Sequence, residues 1–159
     1  MMSEHHKRGG APVTTLNRLD AWEAAIILSL RRWCEGPSGQ LIIRNELDCA
    51  FGRSEAVRAW EDFDCLIRRI VGTAFRPLVR HDVGCNCVGS DEYVFAHLVG
   101  TASEGHLNDA ALIATLLSGP AHAEQIAVLA GEVGLSARRM HHTRSNVRPE
   151  EARNLVRLH

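Results

Sequence analysis

His81, Cys85 and Cys87 place one imidazole and two thiols within seven residues, on a segment broken by Gly84 and Gly89. Two cysteines one residue apart do not share a helix face, so helix packing does not account for them. Thiolate sulfur and imidazole nitrogen are ligands for zinc, and a structural zinc site takes four of them. Cys65 is the fourth candidate. On a helical wheel it falls among Arg58, Asp62 and Arg69, although cysteine is usually a buried residue. From Cys65 to the end of its helix is about 15 Å at the helical rise. The extended return to Cys85 can cover about 30 Å. The expected site is therefore a zinc ion held by Cys65, His81, Cys85 and Cys87. His97 is a rival fourth ligand. An iron–sulfur cluster becomes the alternative if Cys34 or Cys49 replaces His81. A third chemistry is redox, with the two thiols cycling to a disulfide.

The elements that must position these groups read as helices. Leu19, Trp22, Ile26, Leu30 and Trp33 recur at helical spacing over 18–34, and Gly36-Pro37 ends that run. Ser38 can cap a helix over 39–51, and Ser54 one that reaches residue 74, with Val57, Trp60, Phe63, Ile67, Ile70 and Val71 on its apolar face. Pro77 stops any continuation. The irregular stretch 75–89 holds the His–Cys segment. Ser90, Asp91 and Glu92 suit the start of a fourth helix, which stops near Gly100. A fifth follows over 104–117, and Pro120 opens a sixth. A seventh begins at Ser136, and Pro149 opens a short last one. The fold class expected is all-α: a compact multi-helix bundle with an irregular Cys/His loop. Trp22, Leu30, Trp60, Phe63, Ile67, Phe95, Leu117, Leu129 and Met140 are its expected core. The organisation expected is a polar tail over 1–16, a helical lobe over 17–102 with the loop at 75–89, and a second lobe over 103–159.

Within the second lobe, Leu129-Ala130 and Val133-Gly134-Leu135, with Met140 further on, fall in an apolar–small, apolar–Gly–apolar, apolar pattern. The segment 126–144 resembles the helix-turn-helix DNA-binding regulators; Thr143 departs from it, where an apolar residue is usual. The resemblance implies a small residue where two helices cross and a turn at Gly134. It implies a recognition helix from Ser136, with Ser136, Arg138, His141 and His142 facing the major groove and Arg139 and Arg144 nearer phosphates. It also implies a homodimer reading two half-sites. The bottom-up alternative is an ordinary helical hairpin that touches no DNA.

Composition narrows the class. The net charge of −1 gives no global attraction to nucleic acid, so DNA contact would need a local patch. Lys7 is the only lysine against seventeen arginines, a skew of composition rather than of function. Met1 to Gly10 is polar, no apolar segment is long enough to span a bilayer, and a cytoplasmic location is expected. In a reducing compartment five cysteines read as ligands, redox thiols or core, not disulfides. No nucleophile elbow, phosphate loop or zinc-protease helix is present, so the chain is not read as an enzyme. The expectation is a metal-binding regulator acting on transcription. The alternative is a helical protein-binding module with a structural zinc or a thiol redox site. DNA and a protein are the candidate partners, and no membrane is.

Overall fold

The computed structural model describes residues 11–156, with side chains for 11–146. Among the described residues it is all-α apart from one two-stranded sheet, with six helices. They are α1 (Ala21–Cys34), α2 (Pro37–Ala50), α3 (Arg53–Thr73), α4 (Ser90–Ser103), α5 (Leu107–Ala114) and α6 (Ala123–Val156). Strand β1 (Pro12–Thr15) pairs antiparallel with β2 (Cys87–Gly89), and Thr15 lies opposite Cys87. Residues 1–10 of the expected tail lie outside the described residues. From Pro12 the chain is not a tail, because its backbone groups are taken up by the far end of the thiol loop.

Local chemistry explains most boundaries. Asp20 caps α1 reciprocally with Glu23, satisfying two backbone donors at the helix start. Gly36, at φ +96°, makes the turn into α2 that a side chain would oppose, and Pro37 rather than Ser38 opens that helix. Residues on both sides of 102 share one core: Leu66, Ile67 and Ile70 of α3 join Leu98 and Val99 of α4 and Ile126 of α6. Each such side chain contributes about 1.5–3 kcal/mol on burial. Leu30, Phe63, Ile67, Phe95 and Leu117 are buried as expected, while Trp22, Trp60, Leu129 and Met140 pack from the edge, half-buried. Val57 and Val71 of α3 point outwards.

The largest departure is at the C-terminal end. The expected turn at Gly134 is not formed, and neither Ser136 nor Pro149 starts a new helix. α6 runs unbroken from Ala123 to Val156. Gly131 and Gly134 are there for packing. A Cβ on Gly134 would lie 2.5 Å from Ser103 Cβ and 2.8 Å from the Val99 carbonyl oxygen, and one on Gly131 would lie 3.3 Å from the Ala102 carbonyl oxygen. One turn apart, the two glycines form a flat strip on which α4 lies close against α6. The same small residues that suit a turn also suit a close helix crossing, and here the crossing uses them.

Substitution separates the two roles. Gly134→Ala should cost about 1–3 kcal/mol through overlap with α4, despite the better helix propensity of alanine. Gly72 of α3 has nothing within 4 Å of a built Cβ, and Gly72→Ala should be neutral or stabilising by up to about 1 kcal/mol. Urea denaturation of the two variants checks the pair; equal effects would remove the packing argument.

Candidate functional site

Arg31 lies on the buried stripe of α1, beside Ile27 and Leu30, and is completely buried. A buried guanidinium needs a counter-charge and acceptors for five N–H groups. Both are supplied from one place. Nε donates to Glu92 Oε1 at 2.7 Å and Nη2 to Glu92 Oε2 at 3.0 Å. Nη1 donates to the carbonyl oxygens of Asp82 at 3.1 Å and Cys85 at 2.6 Å, and Nη2 to that of Cys87 at 2.6 Å. The arginine thus holds the main chain of the thiol loop at three points.

Glu92, fully buried in the first turn of α4, closes the arrangement from the other side. Besides Arg31 it accepts from the backbone N–H of His81 and of Gly89, each at 3.0 Å. Burial alone would raise its carboxyl pKa. The Arg31 guanidinium and the two backbone donors outweigh burial and hold it below the ordinary value. Its neighbour Asp91 fixes the start of the loop. Arg76 grips its carboxylate with both nitrogens at 2.7 Å, and Val79 N donates at 2.8 Å. The Arg76 hydrogen bonds keep Asp91 below its usual pKa against the opposing effect of burial.

His81 is 3% exposed. Its Nδ1 lies 3.2 Å from Glu92 Oε2, so the tautomer with the proton on Nδ1 donates to the carboxylate. That leaves Nε2 as a buried acceptor with no partner, a costly atom of the kind that water or a ligand ordinarily satisfies. Cys85 and Cys87 are half-buried at the tip of the loop. The neighbouring Cys85 thiol pushes the Cys87 pKa up. The Cys34 thiol, on α1, is pushed up by burial, opposed by the nearby Arg80 guanidinium.

The expected four-ligand zinc set is not brought together. Cys65 is exposed on the charged outer side of α3, as its wheel position implied, but no residue of the loop lines the groove around it. The reason is Arg31: it draws the loop carbonyls onto α1 and α4, so the chain does not fold back over α3. Among the described residues no group of three or more His, Cys, Asp or Glu side chains is arranged to hold a metal ion. His97 is exposed and stacks on Tyr93, Cys49 is exposed on α2, and neither joins the thiol pair.

The six side chains implied for DNA contact do not form one free surface. Arg138 donates to Ser103 Oγ at 2.9 Å and Glu104 Oε1 at 3.1 Å, with its guanidinium 4.5 Å from the Trp22 ring centre. Arg139 pairs with Glu55 and covers Phe51. Ser136 is half-buried, and His141, His142 and Arg144 are exposed. With α6 continuous, no separate recognition helix projects.

Sequence reasoning passed over Arg31 and gave Glu92 only a helix-start role. A signal was present: Ile27, Leu30, Arg31 and Cys34 are spaced i, i+3, i+4, i+7, which puts an arginine on an apolar stripe where it must find a buried partner. No family model matches the chain, and neither a curated protein nor a solved structure matches it.

Two outcomes follow from the buried pair. Arg31→Met leaves the Glu92 carboxylate buried without its counter-charge and should destabilise by about 3–5 kcal/mol, read by urea denaturation at neutral pH. Glu92 and Asp91 titrate lower in the folded chain than in the unfolded one. Their stabilisation is complete above the unfolded carboxyl value, about 4, and is lost as pH falls through their lowered folded values. Acid titration followed by circular dichroism should therefore show stability falling below about pH 4, with a shallower fall in Asp91→Asn.

Proposed function

We propose that this chain is a small helical binding module whose Cys85–Cys87 loop is a thiol switch, and that it acts through a protein partner without reading DNA. The observation that carries the reading is the attachment of Arg31 to the carbonyl oxygens of both cysteines. Closing a disulfide between Cys85 and Cys87 re-pitches the backbone from Cys85 to Cys87. The carbonyl oxygens of those two residues are two of the five acceptors of a buried guanidinium. A change of thiol state is thereby transmitted to α1 and, through Glu92, to the start of α4. One further feature supports the reading. Leu112 of α5, Leu116 just beyond its end, and Val128 and Leu135 of α6 leave apolar side chains exposed that a protein partner could cover.

The chemistry balances with a small disulfide such as oxidised glutathione as oxidant. One cysteine thiolate attacks it, forming a mixed disulfide and releasing one glutathione thiolate. The second thiol gives up its proton and attacks the mixed disulfide, releasing the second glutathione. Zinc at the same loop would draw on the same thiols, and the test distinguishes the two.

Reduced, chelator-treated protein is incubated with oxidised glutathione and digested with trypsin. The peptide that begins at His81 should emerge lighter by two hydrogen atoms, with no glutathione attached. In Cys85→Ser it should instead carry a glutathione on Cys87. A wild-type peptide that stays reduced, or ends as a stable mixed disulfide, would overturn the switch. Stoichiometric zinc in untreated protein that blocks the oxidation would return the loop to a metal role.

A further inference from the structure

The unbroken course of α6 has a second consequence. Where it crosses α1, α2 and α3, it leaves a partly open cavity of about 240 Å³. Ile26, Ile43, Leu47, Phe63, Val133 and Met140 make its walls apolar. Its polar groups are Ser29, Glu46, Ser136, His141 and Arg144. They are not equivalent. The Glu46 carboxylate is already taken by Arg32, whose Nη1 donates to it at 2.6 Å. The hydroxyls of Ser29 and Ser136 and the Arg144 guanidinium have no partner among the described residues. What the cavity offers is therefore hydrogen-bond donors and a guanidinium with no counter-charge among the described residues, above an apolar floor.

We propose that this cavity is a binding site for a small organic carboxylate, with the apolar body between α1, α3 and α6 and the carboxylate facing Ser29, Ser136 and Arg144. Size fixes the class. Apolar cavities of about 150 Å³ accept benzene, and drug-sized sites begin near 300 Å³. The occupant is a medium-chain or single-ring acid. Charge fixes the head group: the one acidic residue of the lining is neutralised by Arg32, and the remaining charge is cationic. The site shares no residue with the thiol loop, which is held from α1 by Arg31. It also gives Ser136, His141 and Arg144 a role that DNA contact does not require.

Met140 lines the cavity and is the only methionine beyond Met1 and Met2. Methyl-labelled methionine therefore supplies a local reporter. The probes are octanoate and octan-1-ol, which share the chain and differ in the head group. Octanoate should shift the Met140 methyl resonance saturably and bind at least about threefold more tightly than octanol, the scale of an exposed ion pair. Arg144→Gln, at an exposed position, should bring the two probes to parity while keeping octanol binding. Ala25→Phe, at the exposed edge of the lining, should fill the cavity and abolish both. The proposal is overturned by an unsaturable or absent Met140 shift with octanoate. It is equally overturned by octanol binding as tightly as octanoate in the parent chain, or by unchanged binding in Ala25→Phe. A Met140 resonance that moves with protein concentration and not with octanoate would assign the cavity to a second copy of the chain.

Discussion

Arg31 is the constraint on which the rest of the structure depends. A fully buried guanidinium is tolerated only when a counter-charge and acceptors for all five donors are fixed around it. That requirement decides where two otherwise free parts of the chain must go. α4 has to start where its first-turn glutamate reaches Arg31. The loop before it has to present the carbonyls of Asp82, Cys85 and Cys87 to the same group. Once those are placed, the backbone donors of His81 and Gly89 fall to Glu92, and Cys87 enters the strand that captures β1. A loop with almost no regular structure is therefore held from inside the core. Its thiols sit half-buried at the edge of that frame.

The second constraint is steric. α4 and α6 approach closely because α6 offers Gly131 and Gly134 and α4 offers Ala102 and Ser103 at the crossing. Arg138 then lies across the same junction, bonded to Ser103 and Glu104 and stacked on Trp22. Trp22 itself packs against Gly100 of α4. One cluster of small residues, one ring and one guanidinium thus fix α1, α4 and α6 together. α6 meets α4 over the stretch from Gly131 to Arg138. On its other side, towards α1, α2 and α3, lies the cavity lined by Ile43 and Leu47.

How much of this was legible from the sequence follows from the range of each signal. Helix existence was legible because periodicity is local: α1 to α5 fall where their apolar residues recur, and the irregular loop lies where Pro77 and Gly84 put it. The end of the chain was not, because glycine carries two meanings. Gly134 reads as a turn from its neighbours in sequence and as a crossing point only from Val99 and Ser103, some thirty residues away. At the thiol loop the sequence shows the thiols and not the wiring. His81, Cys85 and Cys87 lie on one loop, but among the described residues no three such side chains are arranged to hold a metal ion, and Cys65 rests on chain reach alone. Reach says what a loop can touch; a buried charge says what it must touch. β1 escaped notice for a related reason: Pro12-Val13-Thr14-Thr15 is too short to announce a strand without its partner.

The two candidate sites share α1, and this sets a limit on how they can communicate. Ile26 and Ser29 face the cavity while Arg31 faces the loop, so one helix presents both surfaces within two turns. Coupling would require the helix to have two positions, each favoured by one state of a site. A helix clamped at one end by a capping box and along its length by Arg31 and Trp22 resists small displacements. A disulfide closed between Cys85 and Cys87 would act on one of those clamps, the Arg31 bonds to their carbonyls, and would leave the others in place. Any influence of thiol state on the cavity must then pass through the register of α1 against α4. By reciprocity a bound carboxylate would change the thiol redox potential by the same free energy. Were α1 immobile, the two sites would be energetically independent despite lying a few residues apart, because proximity along a rigid helix carries no coupling.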